Sequence, residues 1–231
     1  MMLSIVIPCL NEKNNLPLLL KKIEAVDLGD VKKEIIIVDD YSTDGTREFL
    51  EELEKTGAYK MVYHDRNRGK GAALLTGFAQ VTGDMVLIQD ADLEYDPQDY
   101  PTLIAPIIKK EYQVVYGSRE RNPANRTHSG VLFYLGGRFL SIITNLLYGS
   151  KLTDEATCYK VFEAKLLLSL PLKCQRFEFC PEVTARVLKK GIPIKEVSIA
   201  YFPRTSKEGK KIRYSDGLEA IWTLIKYRFI D

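Results

Sequence analysis

The first 117 residues alternate short apolar runs with stretches of helical periodicity. Residues 3–8 form an apolar run that stops at Pro8. Leu16, Leu19, Leu20 and Ile23 recur at helical spacing and predict a helix over 14–26. Ile35, Ile36, Ile37 and Val38 make a continuous apolar strand over 34–39, followed by an acidic helix over 44–55. A strand at 60–63, a helix at 71–81 and strands at 85–88 and 113–117 complete the pattern. Continuous apolar strands between helices predict a mostly parallel sheet covered on both faces. In such sheets ligands bind at the carboxyl ends of the strands.

The second half reads differently. Its most apolar stretch, 131–149, carries Arg138, Ser141 and Asn145 along one side of a helix. A spanning helix needs about 20 predominantly apolar residues with few or no charges. This stretch therefore reads as an amphipathic helix, either packed on the core or lying at a membrane interface. A loop near 153–157, a helix over 181–190, a strand over 192–201 and a polar stretch over 204–213 follow. A last helix over 215–229 places Leu218, Ile221, Trp222, Ile225 and Phe229 at helical spacing, a face suited to core or membrane. No repeat or linker interrupts the chain, so residues 1–231 are expected to form one domain, with halves 1–117 and 118–231.

Composition changes this picture in two places. The net charge is only +2, which excludes a strongly basic, nucleic-acid-binding chain. Yet residues 1–116 hold 13 basic and 20 acidic residues, and 117–231 hold 20 and 11. An acidic half (−7) is thus joined to a basic half (+9). The four cysteines show no C-x-x-C spacing and only His64 and His128 accompany them, which disfavours zinc. Unpaired cysteines and a start without a secretory pattern lead us to expect a cytoplasmic protein.

The candidate chemistry lies where the strands end. Strand 34–39 ends in Asp39-Asp40, and strand 85–88 is followed by Gln89-Asp90-Ala91-Asp92. Two parallel strands thus deliver acids to one sheet edge, and an extended chain would point Asp90 and Asp92 the same way. Paired carboxylates beside a diphosphate suit a hard divalent cation. Turn formation or helix capping is the alternative role, favoured for Asp44 at the head of a helix. Asn11 and Glu12, after Pro8, offer contacts to a base or ribose, or shape the turn. Gly69-Lys70-Gly71 precedes a helix, where anions bind. It is neither a Walker A loop nor a dinucleotide fingerprint.

Together these segments resemble glycosyltransferase family 2. They are Ile5-Val6-Ile7-Pro8 with Asn11-Glu12, Val38-Asp39-Asp40-Tyr41-Ser42, Gly69-Lys70-Gly71-Ala72, Asp90-Ala91-Asp92-Leu93 and Gly117-Ser118-Arg119. Within it the chain looks most like the dolichyl-phosphate mannose synthase group and its bacterial polyprenyl-phosphate relatives. The resemblance implies a GT-A (Rossmann-like) α/β fold, with amphipathic helices as an acceptor-side extension. It implies an inverting enzyme that uses Mg2+ or Mn2+ and a nucleotide sugar, GDP-mannose or a UDP-sugar. It places Pro8, Asn11, Glu12, Asp39, Asp40, Gly69, Lys70, Asp90, Arg204 and Lys210 against the donor. It assigns Asp90 and Asp92 to the metal. Asp92, Glu94 and Arg119 fall at the reaction centre, and Arg119, Arg126 and Arg138 at an acceptor phosphate. One departure is Tyr41, where the family usually has a small residue.

A polyprenyl phosphate acceptor fits the basic half. Its second pKa is about 6, so it is largely anionic at neutral pH and needs cations rather than a base. Arginine provides bidentate phosphate contacts. A sugar or lipid hydroxyl acceptor would instead need a base, for which Glu94, Asp154 and Glu178 are available. A catalytically silent nucleotide-binding scaffold is a further alternative. The phosphate reading implies a peripheral protein at the cytoplasmic face of a membrane, with or without a membrane-spanning partner.

Overall fold

The computed structural model describes residues 1–125, 131–204 and 214–230. Seven strands form one sheet in the order β3-β2-β1-β4-β6-β5-β7. They are β1 (Met2–Cys9), β2 (Lys32–Asp39), β3 (Lys60–Tyr63), β4 (Met85–Ile88), β5 (Val114–Ser118), β6 (Lys160–Glu163) and β7 (Ile194–Ser198). The pairs β1/β2, β1/β4, β2/β3 and β5/β7 are parallel, as the apolar runs predict. Only β6 runs antiparallel, wedged between β4 and β5. It brings a strand of the second half into the middle of the sheet.

The central stretches of β1, β2 and β4 are apolar because both faces of the sheet are covered there. Leu3, Ile5 and Ile7 face one buried cluster with Ile35, Ile37, Met85 and Leu87. Val6, Ile36, Val38, Val86 and Ile88 face the other. The two-residue period of a strand assigns neighbouring apolar residues to opposite cores. On the first face lie α1 (Leu16–Ala25) and α4 (Tyr100–Ile108); on the second lie α3 (Lys70–Phe78) and α7 (Phe179–Lys189). Helix α2 (Thr46–Glu54) seals the β3 side. The structure adds β6, α4 and the short α6 (Ala164–Leu168) to the predicted elements. Pro101 and Pro106 mask α4 in the sequence, although Pro101 sits in the first turn, where no helical N–H is needed.

A third, smaller cluster joins α5 (Val131–Tyr148), α7 and α8 (Tyr214–Phe229) through Leu140, Ala185, Ala220, Leu224 and Tyr227. Both amphipathic helices therefore bury one face on the protein. Their other faces leave Phe139, Ile142, Leu146, Leu218, Trp222 and Phe229 exposed. Among the described residues no helix is long and apolar enough to cross a membrane. Strand β7 is shorter than its predicted span of 192–201. After Ser198 the chain leaves β5, and Tyr201 bridges to Tyr95 instead.

Candidate active site

Because β1, β2 and β4 are parallel, the loops after Cys9, Asp39 and Ile88 open on the same edge. The first two loops are stitched together. Asn11 donates its backbone N–H to Ser42 Oγ (2.8 Å) and accepts from the Thr43 N–H through Oδ1 (2.8 Å). Glu12 donates its N–H to Thr46 Oγ1 (3.0 Å). Pro8 pairs with Val38 at the ends of β1 and β2.

Asp39 and Asp40 are both buried and engaged. Arg47 Nε donates to Asp39 Oδ2 at 2.7 Å. Asp40 meets His64 Nδ1 at 2.7 Å and accepts the backbone N–H groups of Arg68 and Gly69 at 2.8 Å each. It thereby ties the 65–69 loop to the end of β2. His64 acts here as a brace. Gly69 has φ +94°, and a Cβ there would stand 2.4 Å from the Gln175 carbonyl oxygen. A Cβ at Gly71 would stand 2.8 Å from the Arg176 carbonyl. The backbone these glycines admit is thus the chain's own 174–176 segment.

The chain turns at Ala91 and Asp92, so Asp90 and Asp92 do not share one extended face. Each meets a different cation. Lys70 Nζ lies 2.5 Å from Asp90 Oδ1. Burial raises the Asp90 pKa, but the Lys70 ammonium, a hydrogen bond from Cys158 and the charge of Arg204 together hold the carboxyl below its ordinary value. Arg204 Nη2 lies 2.7 Å from Asp92 Oδ2, Nη1 3.3 Å from Glu12 Oε1 and Nε 3.7 Å from Glu94 Oε1. The Arg204 backbone N–H also donates to Glu94 (2.9 Å). One guanidinium shared among three carboxylates undercompensates them. Burial and the charges of Asp90 and Glu94 push the Asp92 carboxyl up to about 7 despite its ion pair. Asp92 and Arg204 line a cavity of about 310 Å³ with Asn15, Leu93, Phe202 and Pro203.

Arg119 is reached through this cluster. Tyr201 donates its hydroxyl to Glu94 (3.1 Å), and the Arg119 guanidinium lies 5.0 Å from the Tyr201 ring centre. Asp154 grips Arg119 with two bonds of 2.7 Å, a partner that nothing in the sequence identifies. Arg138 is exposed on α5, with Glu120 at 3.5 Å and Tyr134 at 3.1 Å. It is not gathered with the acids. Arg126, Lys210 and Lys211 lie outside the described residues.

The donor set suits a divalent cation. Asp92, Glu12 and Glu94 already enclose a positive group, and the excess negative charge favours a doubly charged one. Among the described residues no three acidic, His or Cys side chains form a ready-made metal cage.

Residues 4–168 match the model of glycosyl transferase family 2. The chain belongs to this family. As a family 2 glycosyltransferase it is 29% identical to a UDP-N-acetylglucosamine–dolichyl-phosphate N-acetylglucosaminyltransferase of Methanococcus voltae, over 86% of this chain and 84% of that one. It is 38% identical to an undecaprenyl-phosphate 4-deoxy-4-formamido-L-arabinose transferase of Proteus mirabilis, over 90% of this chain but 62% of the relative. Glucosyl-3-phosphoglycerate synthase of Mycobacterium tuberculosis, solved with Mn2+ and UDP-glucose, superposes on all of this chain and 80% of its own, with a TM-score of 0.76 at 22% identity. The GT-A-like sheet flanked by helices is shared with that enzyme.

Proposed function

We propose that this glycosyltransferase moves a hexose from a nucleotide sugar to a polyprenyl phosphate, inverting the anomeric carbon, as a peripheral protein at the cytoplasmic face of a membrane. The observation that carries the reading is the acid edge closed by a basic-half arginine: Asp92, Glu12 and Glu94 around Arg204. The polyprenyl-phosphate relatives support the acceptor, as do the exposed apolar faces of α5 and α8. GDP-mannose and UDP-sugars both remain candidate donors.

In this reading Asp90 and Asp92 would hold Mg2+ or Mn2+, which would supply Lewis-acid stabilisation of the departing diphosphate. Residues 1–117 contact the donor: Pro8, Asn11, Glu12, Asp39 and Asp40 shape the base and ribose side, and Gly69 and Lys70 fix the position of Asp90. Residues 118–231 contact the acceptor. Arg204 leaves the acids and binds phosphate together with Lys210, while Arg119, Arg126 and Arg138 draw in the lipid phosphate. A phosphate oxygen already anionic at neutral pH attacks the sugar carbon without a general base. Glu94 orients Arg204 and Tyr201 rather than taking a proton.

The test is transfer of radiolabelled hexose from a panel of GDP- and UDP-sugars, with Mn2+ and polyprenyl phosphate in vesicles. Label is expected in an organic-phase product that mild acid cleaves. Label found only in an acid-stable glycan or glycolipid would overturn the phosphate acceptor.

A further inference from the structure

Backbone strain gathers at the acid edge. Among the described residues the non-glycine positions with positive φ are Asn11, Tyr41, Leu93 and Lys110. Asn11, Tyr41 and Leu93 stand in the loops after β1, β2 and β4, the parallel strands that build this edge. Asn11 suits the left-handed conformation, and its amide accepts the Thr43 N–H. Leu93 packs its side chain against the core. Tyr41, at φ +70°, does neither: it is 46% exposed. A bulky side chain is disfavoured in this conformation, and a glycine would adopt it without strain. The turn is nevertheless pinned on both sides. The Asp40 N–H donates to the Cys9 carbonyl (2.8 Å), and the Ser42 N–H donates to Asp39 Oδ1 (3.2 Å).

The ring also has a rigid support. The Arg47 guanidinium lies 5.6 Å from the Tyr41 ring centre and 5.4 Å from that of Tyr63. Arg47 is fixed in turn: Nε donates to Asp39 (2.7 Å) and Nη2 to the His64 carbonyl (2.7 Å). We propose that Tyr41 is a base-stacking residue, whose ring packs on the nucleobase of the donor nucleotide. The inference rests on the reading of this edge as a nucleotide-sugar site, and it names the group that meets the base.

Three arguments carry it. Strain held by its surroundings at a ligand-binding edge marks function, because a smaller residue would relieve it. An exposed aromatic ring on a fixed guanidinium offers a flat apolar face for stacking. Position then selects the ligand group. The sheet order β2-β1-β4 sets the Tyr41 loop two strands away from the Asp92 loop, roughly 10 Å at the usual strand spacing. That separation suits the base, at the far end of a nucleoside diphosphate, and not the hexose beside its phosphates. Every base has a π-face, so Tyr41 supplies affinity without choosing between purine and pyrimidine.

The test is nitration of Tyr41 by tetranitromethane in the full-length protein with Mn2+, the modified residue being located by mass spectrometry. GDP and UDP, which carry no hexose, should each suppress it, and inorganic pyrophosphate should not. In calorimetry Tyr41→Asn should raise the Kd for GDP and for UDP about tenfold and leave that for pyrophosphate unchanged. Its melting temperature should not fall, because asparagine tolerates the left-handed turn. Tyr41→Phe, which keeps the ring, should bind both nucleotides as the unsubstituted protein does. If the unsubstituted protein binds neither nucleotide, the nucleotide-sugar reading fails and this inference fails with it. If it binds them, three results would overturn the stacking role alone: Tyr41 nitrated as fast as without nucleotide, protection by pyrophosphate equal to that by GDP, or a Tyr41→Asn variant that loses stability but no nucleotide affinity. The nitration measurement stands even if the asparagine variant does not fold.

Discussion

The acid edge of the sheet and the helical layer of α5, α7 and α8 treat awkward groups in opposite ways. At the edge each candidate carboxylate is answered from within: Asp39 by Arg47, Asp40 by His64, Asp90 by Lys70, and Asp92, Glu12 and Glu94 by Arg204. In the helical layer the groups are left unanswered. Leu146 is 79% exposed and Phe229 77%. Between α5 and α7, Glu155 is fully buried, yet neither carboxylate oxygen has a hydrogen-bond partner among the described residues. The edge is thus organised within the protein itself, each of these carboxylates held by a basic side chain. The helical layer is organised on one face only and leaves an apolar one for something outside the chain.

The largest effect should come from breaking the edge. Asp92→Asn should lower sugar transfer by about 1,000-fold with the fold intact, the upper range for losing one preorganised electrostatic contact. Circular dichroism and steady-state transfer rates check this together; near-wild-type turnover would remove the edge from the chemistry.

Glu155 tests the other side of the comparison. Burial pushes its carboxyl up to about 7, from an ordinary value near 4.5. Above the unfolded value the unfolded chain releases the proton while the folded one keeps it. Stability from this group is therefore full below about pH 4.5 and falls until about pH 7. Glu155→Gln should leave stability unchanged near pH 4.5 and raise it by about 3 kcal/mol at pH 8, read by urea denaturation at both pH values. A gain that does not depend on pH would mean that this carboxylate does not carry its charge penalty.

The smallest effect concerns the exposed apolar face. Phe139→Asp and Trp222→Asp should each weaken binding to anionic lipid vesicles by about tenfold, through lost apolar insertion and added negative charge. Because both side chains already face solvent, thermal stability should shift by no more than about 0.5 kcal/mol. Unchanged sedimentation with vesicles would assign the face to another partner.

Much of the fold was legible. The runs at 34–39 and 85–88 predicted β2 and β4, because strands covered on both faces are apolar at every position. Asp39, Asp40, Asp90 and Asp92 were legible for the same reason: they follow those strands. Helix α4 was hidden by its two prolines, and β6 lay inside a motif noted for its side chains rather than its conformation. The partners of the acids were not legible. Arg204 reaches Asp92 across 112 residues, and Asp154 reaches Arg119 across 35. No local spacing encodes such a meeting.

The charge division makes the boundary concrete. The sequence by itself determined an acidic half and a basic half, the strands that carry acids to one edge, and two amphipathic helices. These depend on local periodicity and on the order of residues. Only the tertiary structure decided that Arg204 of the basic half closes over Glu12, Asp92 and Glu94 of the acidic half. It alone decided that Lys70 holds Asp90. Ion pairs act over a few ångströms, and it is the bridge of Tyr201 to Tyr95 and the bond from the Phe202 N–H to the Glu94 carbonyl that bring Arg204 within that range.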